Sequence, residues 1–175
     1  ASEIGRELSA DYLLEGSVRG DGDRIRITAQ LIETRTDEHL WAETYDRPFR
    51  PDEIFALQDD LVPRIVSTVA DSNGVLPHTM GEALRGRAPD DLSPYEAVLR
   101  SFSYFGRVTA EELAAARAGL ESAVRRAPDY ADAWAMLAWL CVQDCGQGFN
   151  LQPDSLAGGL AAARRAVEAA SSNHL

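Results

Sequence analysis

Apolar and polar residues alternate along residues 24–33. Ile25, Ile27, Ala29 and Leu31 fall on one side, and Arg24, Arg26, Thr28 and Gln30 on the other. A period of two is that of a strand with one buried face. The run Tyr12–Val18 also reads as extended, and Gly20-Asp21-Gly22-Asp23 separates the two with turn residues. Together they predict a hairpin. Residues 34–38 are polar and make a second turn, and Leu40–Tyr45 give a third strand that ends before Pro48. Connections this short require antiparallel neighbours. A short helix over 2–9, with Ile4 and Leu8 one turn apart, precedes the strands. After them Pro51-Asp52-Glu53 opens a long helix with acids at its positive end. Its stripe, Ile54, Leu57, Leu61, Ile65 and Val69, is expected to cover the sheet. Pro63 removes one backbone hydrogen bond and is expected to kink or divide this helix near Asp59 and Asp60.

Beyond residue 74 the pattern is helical. The spacing predicts helices over 76–86, 92–106, 110–127, 131–144 and 154–171. Thr109, with Glu112 three residues on, has capping-box spacing. Pro128 ends that helix, and Pro153-Asp154-Ser155 opens the last. The fold class is therefore α+β. A partial α/β domain over 1–74 (helix, three-stranded antiparallel meander, long helix) leads through a part-helical linker over 75–90. An all-α array of helical hairpins follows over 91–175. The boundary falls at Asp71-Ser72-Asn73-Gly74, where alanine-poor sequence gives way to alanine-rich.

Charge narrows the function. Residues 1–74 hold 16 acids and 8 bases, and residues 75–175 hold 12 and 9, giving −11 in all. A nucleic-acid module needs a basic face, and a membrane patch needs clustered bases, so both are excluded as partners of this fragment. All the bases are arginine, which reads as a lineage bias. Cys141 and Cys145 share one helix face and read as small core residues. His39, His78 and His174 are too scattered to complete a metal site. No run approaches the ~20 apolar residues of a membrane span, and no signal peptide is seen. Because the chain enters a helical pattern at once, it reads as a piece cut from a longer protein.

No catalytic, cofactor or metal residues emerge. Glu15, Glu43, Asp59 and Asp60 are read as solvated faces. Gly20–Asp23 lacks the ligand count and closing Glu of a calcium loop. Phosphate loops, dinucleotide fingerprints and a Ser-His-Asp order are absent from the sequence.

Two resemblances add to this. Ala116, Leu120, Ala123 and Pro128, followed by Trp134, Leu137 and Ala138, resemble the junction between two tetratricopeptide repeats. Tyr95, Val98, Leu99 and Phe102 fit the first helix of the earlier repeat. The repeats diverge. The loop from Phe105 to Ala110 looks about five residues too long for the repeat, residues 144–152 are an insertion, and the closing segment 171–174 lacks a proline. In the first region Ile4–Leu8, Asp11–Arg19, Gly22–Ile32, His39–Arg47 and Ile54–Asp59 resemble the TolB-amino-terminal-like domain that precedes such repeats in bacterial regulators.

The resemblance implies parents related to class III adenylate or guanylate cyclases, or carrying winged-helix domains, although cyclase catalytic motifs are absent here. It implies a non-catalytic regulatory and protein-interaction region. Alternatives are a spacer or dimerisation module, and a fragment of an enzyme. The repeats imply a groove for a protein or peptide, lined by Ser93, Glu96, Arg100 and Ser103 and by Asp132, Ala135, Trp139 and Val142. For Trp139 the competing reading is core packing against the 154–171 helix. The family's domain begins earlier, with a strand, a helix and another strand. Their lack leaves an open sheet edge, through which a homodimer is expected. The location implied is cytoplasmic, or periplasmic if a membrane span precedes.

Overall fold

A computed structural model describes residues 1–71 and 74–172. The order is α1 (Ser2–Leu8), β1 (Tyr12–Asp21), β2 (Arg24–Glu33), β3 (Glu38–Pro48), α2 (Ile54–Ala70), α3 (Val75–Ala83), α4 (Pro94–Gly106), α5 (Ala110–Arg126), α6 (Ala131–Gly146) and α7 (Ser155–Ser172). This is α+β: a three-stranded antiparallel sheet followed by helices. The chain divides into two compact units, Ala1–Leu76 and Pro77–Leu175. Ser72 and Asn73, in the expected boundary, lie outside the described residues, as does the end of the closing segment from residue 173.

In the first unit the alternation in β2 sets the sheet. Residues opposite one another share a face. Leu14, Val18, Ile25, Ile27, Ala29, Leu31 and Tyr45 therefore lie together. The other face is a polar ladder. Gln30 donates to Glu15 at 3.0 Å, Thr28 and Thr44 approach to 3.4 Å, and Arg26 grips Asp46 at 2.8 and 3.0 Å. β1 runs through Gly20 and Asp21, so the first turn contracts to Gly22 and Asp23. Gly22 has φ 61°, a conformation glycine adopts without a Cβ clash. β3 extends to Pro48, which a sheet edge tolerates because no ladder partner is lost. α2 runs unbroken through Pro63 and buries Leu61 and Val69. Its Asp60 meets Arg47 of β3 at 3.9 Å, which places that flank of the helix toward β3. On β1, at the other edge, Leu14 and Val18 stay exposed.

In the second unit α4, α5, α6 and α7 pack in sequence. Small residues on α5 allow close approach: Ala116, Gly119 and Ala123 are buried, and a Cβ on Gly119 would touch Leu92 and Ala97. The link between α4 and α5 is only residues 107–109, because α4 continues to Gly106. Half of the Phe105–Ala110 segment that looked too long for a loop is thus helix. The segment read as a linker is packed onto the helices. Gly81 of α3 lies against the Leu99 carbonyl, Ser122 donates to Asp90 at 2.6 Å, and Arg87 donates to Glu96 at 2.6 Å.

Candidate partner-binding surface

The expected groove residues lie on α4 and α6, which are in contact. α4 begins with a full capping box. Glu96 N donates to Ser93 Oγ at 3.2 Å, and Ser93 N returns to the Glu96 carboxylate at 2.8 Å. The Ser93 amide and hydroxyl, with the Arg87 guanidinium, hold the Glu96 carboxyl below its ordinary range. Glu96 stays half-buried at the rim.

On α6, Asp132, Ala135, Trp139 and Val142 recur at spacings of three and four, which puts them on one face. Asp132 and Ala135 are exposed, and Val142 is 52% exposed. Trp139 is half-buried. Its ring lies 4.6 Å from Phe105 and 5.8 Å, edge-on, from Tyr104, both on α4. His78 and Phe102 extend this aromatic cluster through Phe105. The Trp139 ring contacts are with α4; α7 offers the cation Arg165 instead to the other tryptophan of α6, Trp134, 5.8 Å from the ring. Trp134 also donates to the Pro128 carbonyl at 2.9 Å, fixing the turn between α5 and α6.

Arg100 is placed differently from its neighbours in the pattern. Its side chain is 8% exposed and donates to Glu112 at 2.9 Å and to the Ser103 hydroxyl. Ser103 is also buried, 3.4 Å from the same carboxylate. Arg85, from the turn after α3, closes on the other Glu112 oxygen. Burial pushes the Glu112 carboxyl up, but Arg100 and Arg85 outweigh it and hold it below the ordinary value. The capping box expected at Thr109 is therefore half made. Thr109 accepts from the Glu112 amide at 3.2 Å, while the carboxylate turns to the two arginines. The sequence held one clue to this network: an acid in the first turn of α5 behind an arginine in the middle of α4.

A second buried carboxylate was not anticipated. Asp144 accepts from the Leu151 amide at 2.9 Å, the Gln152 amide at 3.3 Å and the Ser155 hydroxyl. Burial raises its carboxyl, and these donors, with Arg117, bring it below the ordinary range. It clamps the 147–154 loop, which holds most of the 144–152 insertion, and fixes the start of α7. Cys141 is buried and Cys145 half-buried, both unpaired. Among the described residues no three His, Cys, Asp or Glu side chains are placed to hold a metal, and no helix is long and apolar enough to cross a membrane.

No family model matches the chain, and no solved structure matches it. Over 169 residues it is 34% identical to a protein of Rhizobium meliloti (strain 1021) described as "Putative adenylate cyclase 3". The match takes in 95% of this chain and 28% of that protein, so the chain spans less than a third of its relative's length.

Proposed function

We propose that the chain is a non-catalytic regulatory and protein-interaction region of a bacterial signalling protein related to adenylate cyclases. The observation that carries this is the coverage: nearly all of the chain aligns with under a third of a protein named for that activity. On this reading the cyclase chemistry lies elsewhere in the full protein. The first unit is the TolB-like domain, and the helices are divergent tetratricopeptide repeats with α4 and α6 as their inner helices. The order of helix, three-strand meander, long helix and helical hairpins supports that assignment.

The partner surface is then Asp132, Ala135, Trp139 and Val142, rimmed by Glu96. Arg100 supports it from beneath through Glu112. Exposed apolar side chains beside acids suit a peptide with apolar anchors and a basic residue. Partner binding here would bias an output domain in a cytoplasmic protein. The purified chain is expected to form no cyclic AMP from ATP. Immobilised, it is expected to retain a partner that Trp139→Ala and Val142→Asp both release. Val142 is exposed, so its variant keeps the fold if Trp139→Ala does not. Cyclic AMP production, or retention unaffected by either variant, would overturn the reading. A second reading, self-association through the first unit, is favoured by the unpaired edge of β1 with Leu14 and Val18 exposed. Val18→Lys would dissociate such a dimer in sedimentation experiments.

A further inference from the structure

Arginines gather at the turn end of the sheet's polar face. The register sets Asp21, Arg24 and Pro48 in one row, Arg19, Arg26 and Asp46 in the next, and Ser17, Thr28 and Thr44 in the one after. Side chains alternate along a strand, so all three rows share one side of the sheet. Arg19 stands directly opposite Arg26, a like-charge pair that destabilises neighbouring strands. The acid that could answer it is taken. Asp46 accepts two hydrogen bonds from Arg26, at 2.8 and 3.0 Å. Those bonds, with the nearby charges of Arg26 and Arg24, hold the Asp46 carboxyl below its ordinary range. Among the described residues, the side chains of Arg19, Arg24 and Asp21 have no hydrogen-bond or ion-pair partner. The three arginines line an open cavity of about 220 Å³, walled also by Gly20, Asp21, Ile25 and Asp46. That lining carries three cations against two anions, although acids outnumber bases 16 to 8 over residues 1–74.

We propose that this cavity is an oxyanion site that takes the phosphate group of a small molecule, held by Arg19 and Arg24 with Arg26 beside them. A guanidinium fork matches two oxygens of one phosphate. A dianion seated between Arg19 and Arg26 cancels the repulsion that their register builds in. Three cations in an acidic surface are too few to track a nucleic-acid backbone. The hydroxyls of Ser17, Thr28 and Thr44 lie one row on, about 7 Å along the strands, where the rest of a phosphorylated polyol would rest. The site is independent of the groove on α4 and α6.

The test follows backbone amide shifts of the isotope-labelled 175-residue chain by nuclear magnetic resonance. Inorganic phosphate and glycerol phosphate are titrated separately at neutral pH, with sodium chloride holding the ionic strength constant. Saturable shifts at Arg19, Gly20 and Arg26 are expected. Equal affinity for the two probes assigns the site to the phosphate group alone, and tighter binding of glycerol phosphate assigns it to an organic phosphate. Arg19→Gln and Arg24→Gln are each expected to weaken binding by about tenfold, the loss of one charge-assisted contact. Arg35→Gln, at the other end of the sheet, is expected to leave it unchanged. Asp21→Asn removes an unpaired carboxylate from the cavity wall and is expected to tighten it. All four side chains are exposed, so circular dichroism is expected to match the parent. Melting gives a second readout. Without phosphate, Arg19→Gln is expected to melt no lower than the parent, and phosphate is expected to raise the parent's melting temperature more than the variant's. Shifts that never saturate, unchanged affinity in both arginine variants, or weaker binding by Asp21→Asn would overturn the proposal.

Discussion

Removing the Glu112 carboxylate isolates a buried cation. In Glu112→Ala, Arg100 keeps only the Ser103 hydroxyl and its own burial, with 8% of its side chain exposed. Stripping one partner from a buried ion pair costs about 3–5 kcal/mol. Arg85 also loses this contact, but it keeps Glu82 at 3.3 Å and its side chain is 29% exposed, so little is lost there. The lower end, about 3 kcal/mol, is therefore expected. Arg100→Met with Glu112→Leu removes both charges, and that double variant is expected within about 1 kcal/mol of the parent. Urea unfolding followed by tryptophan fluorescence measures this. In a Trp41→Phe background the signal comes from Trp134 and Trp139, both in the helical unit. With a slope of about 2 kcal/mol per molar urea, Glu112→Ala shifts the midpoint down by about 1.5 M. The pH dependence has the matching sign. The folded carboxyl lies below its ordinary value of 4.5, so its contribution is complete above that pH. It is lost as pH falls through the lower folded value. A single variant costing under about 1 kcal/mol, or a double variant no better than the single, would refute the reasoning.

Four further outcomes follow from local geometry. Asp144→Ala leaves the Leu151 and Gln152 amides without their acceptor, and faster hydrogen exchange at both is expected, with a loss of about 2–3 kcal/mol. Gly81→Ala pushes a methyl group into the Leu99 carbonyl and is expected to lower thermal stability by about 1–3 kcal/mol, whereas Gly158→Ala, inside α7 with open space around it, is expected to raise it by about 0.5–1 kcal/mol. Tyr104→Phe removes a buried hydroxyl that has no hydrogen-bond partner, so calorimetry is expected to show a change no worse than neutral.

The elements that could be read from sequence were those set by local periodicity. The alternation in β2 carried the sheet, because a strand's faces repeat every two residues whatever lies beyond them. Apolar stripes and end residues located the helices to within a turn, with α3 starting at Val75 and α6 extending to Gly146. Features that depend on distant partners were not legible. Arg100 falls on the expected groove face by spacing, yet its surroundings are set by Glu112 on another helix and Arg85 from a turn. Pro63 argued for a break, but burial of Leu61 and Val69 on either side of it holds α2 together. Asp144 looked like the edge of an insertion, because the amides that it binds lie in the loop that folds back on it.

In the sheet and among the last four helices, each element packs against the one made just before it: β1 with β2, β2 with β3, then α4, α5, α6 and α7 in turn. Few long loops have to be closed before contacts begin to stabilise the chain. Such local wiring favours rapid folding, on the order of microseconds to milliseconds for helical units of this kind. It also lets each hairpin settle as it leaves the ribosome, before the next has been made.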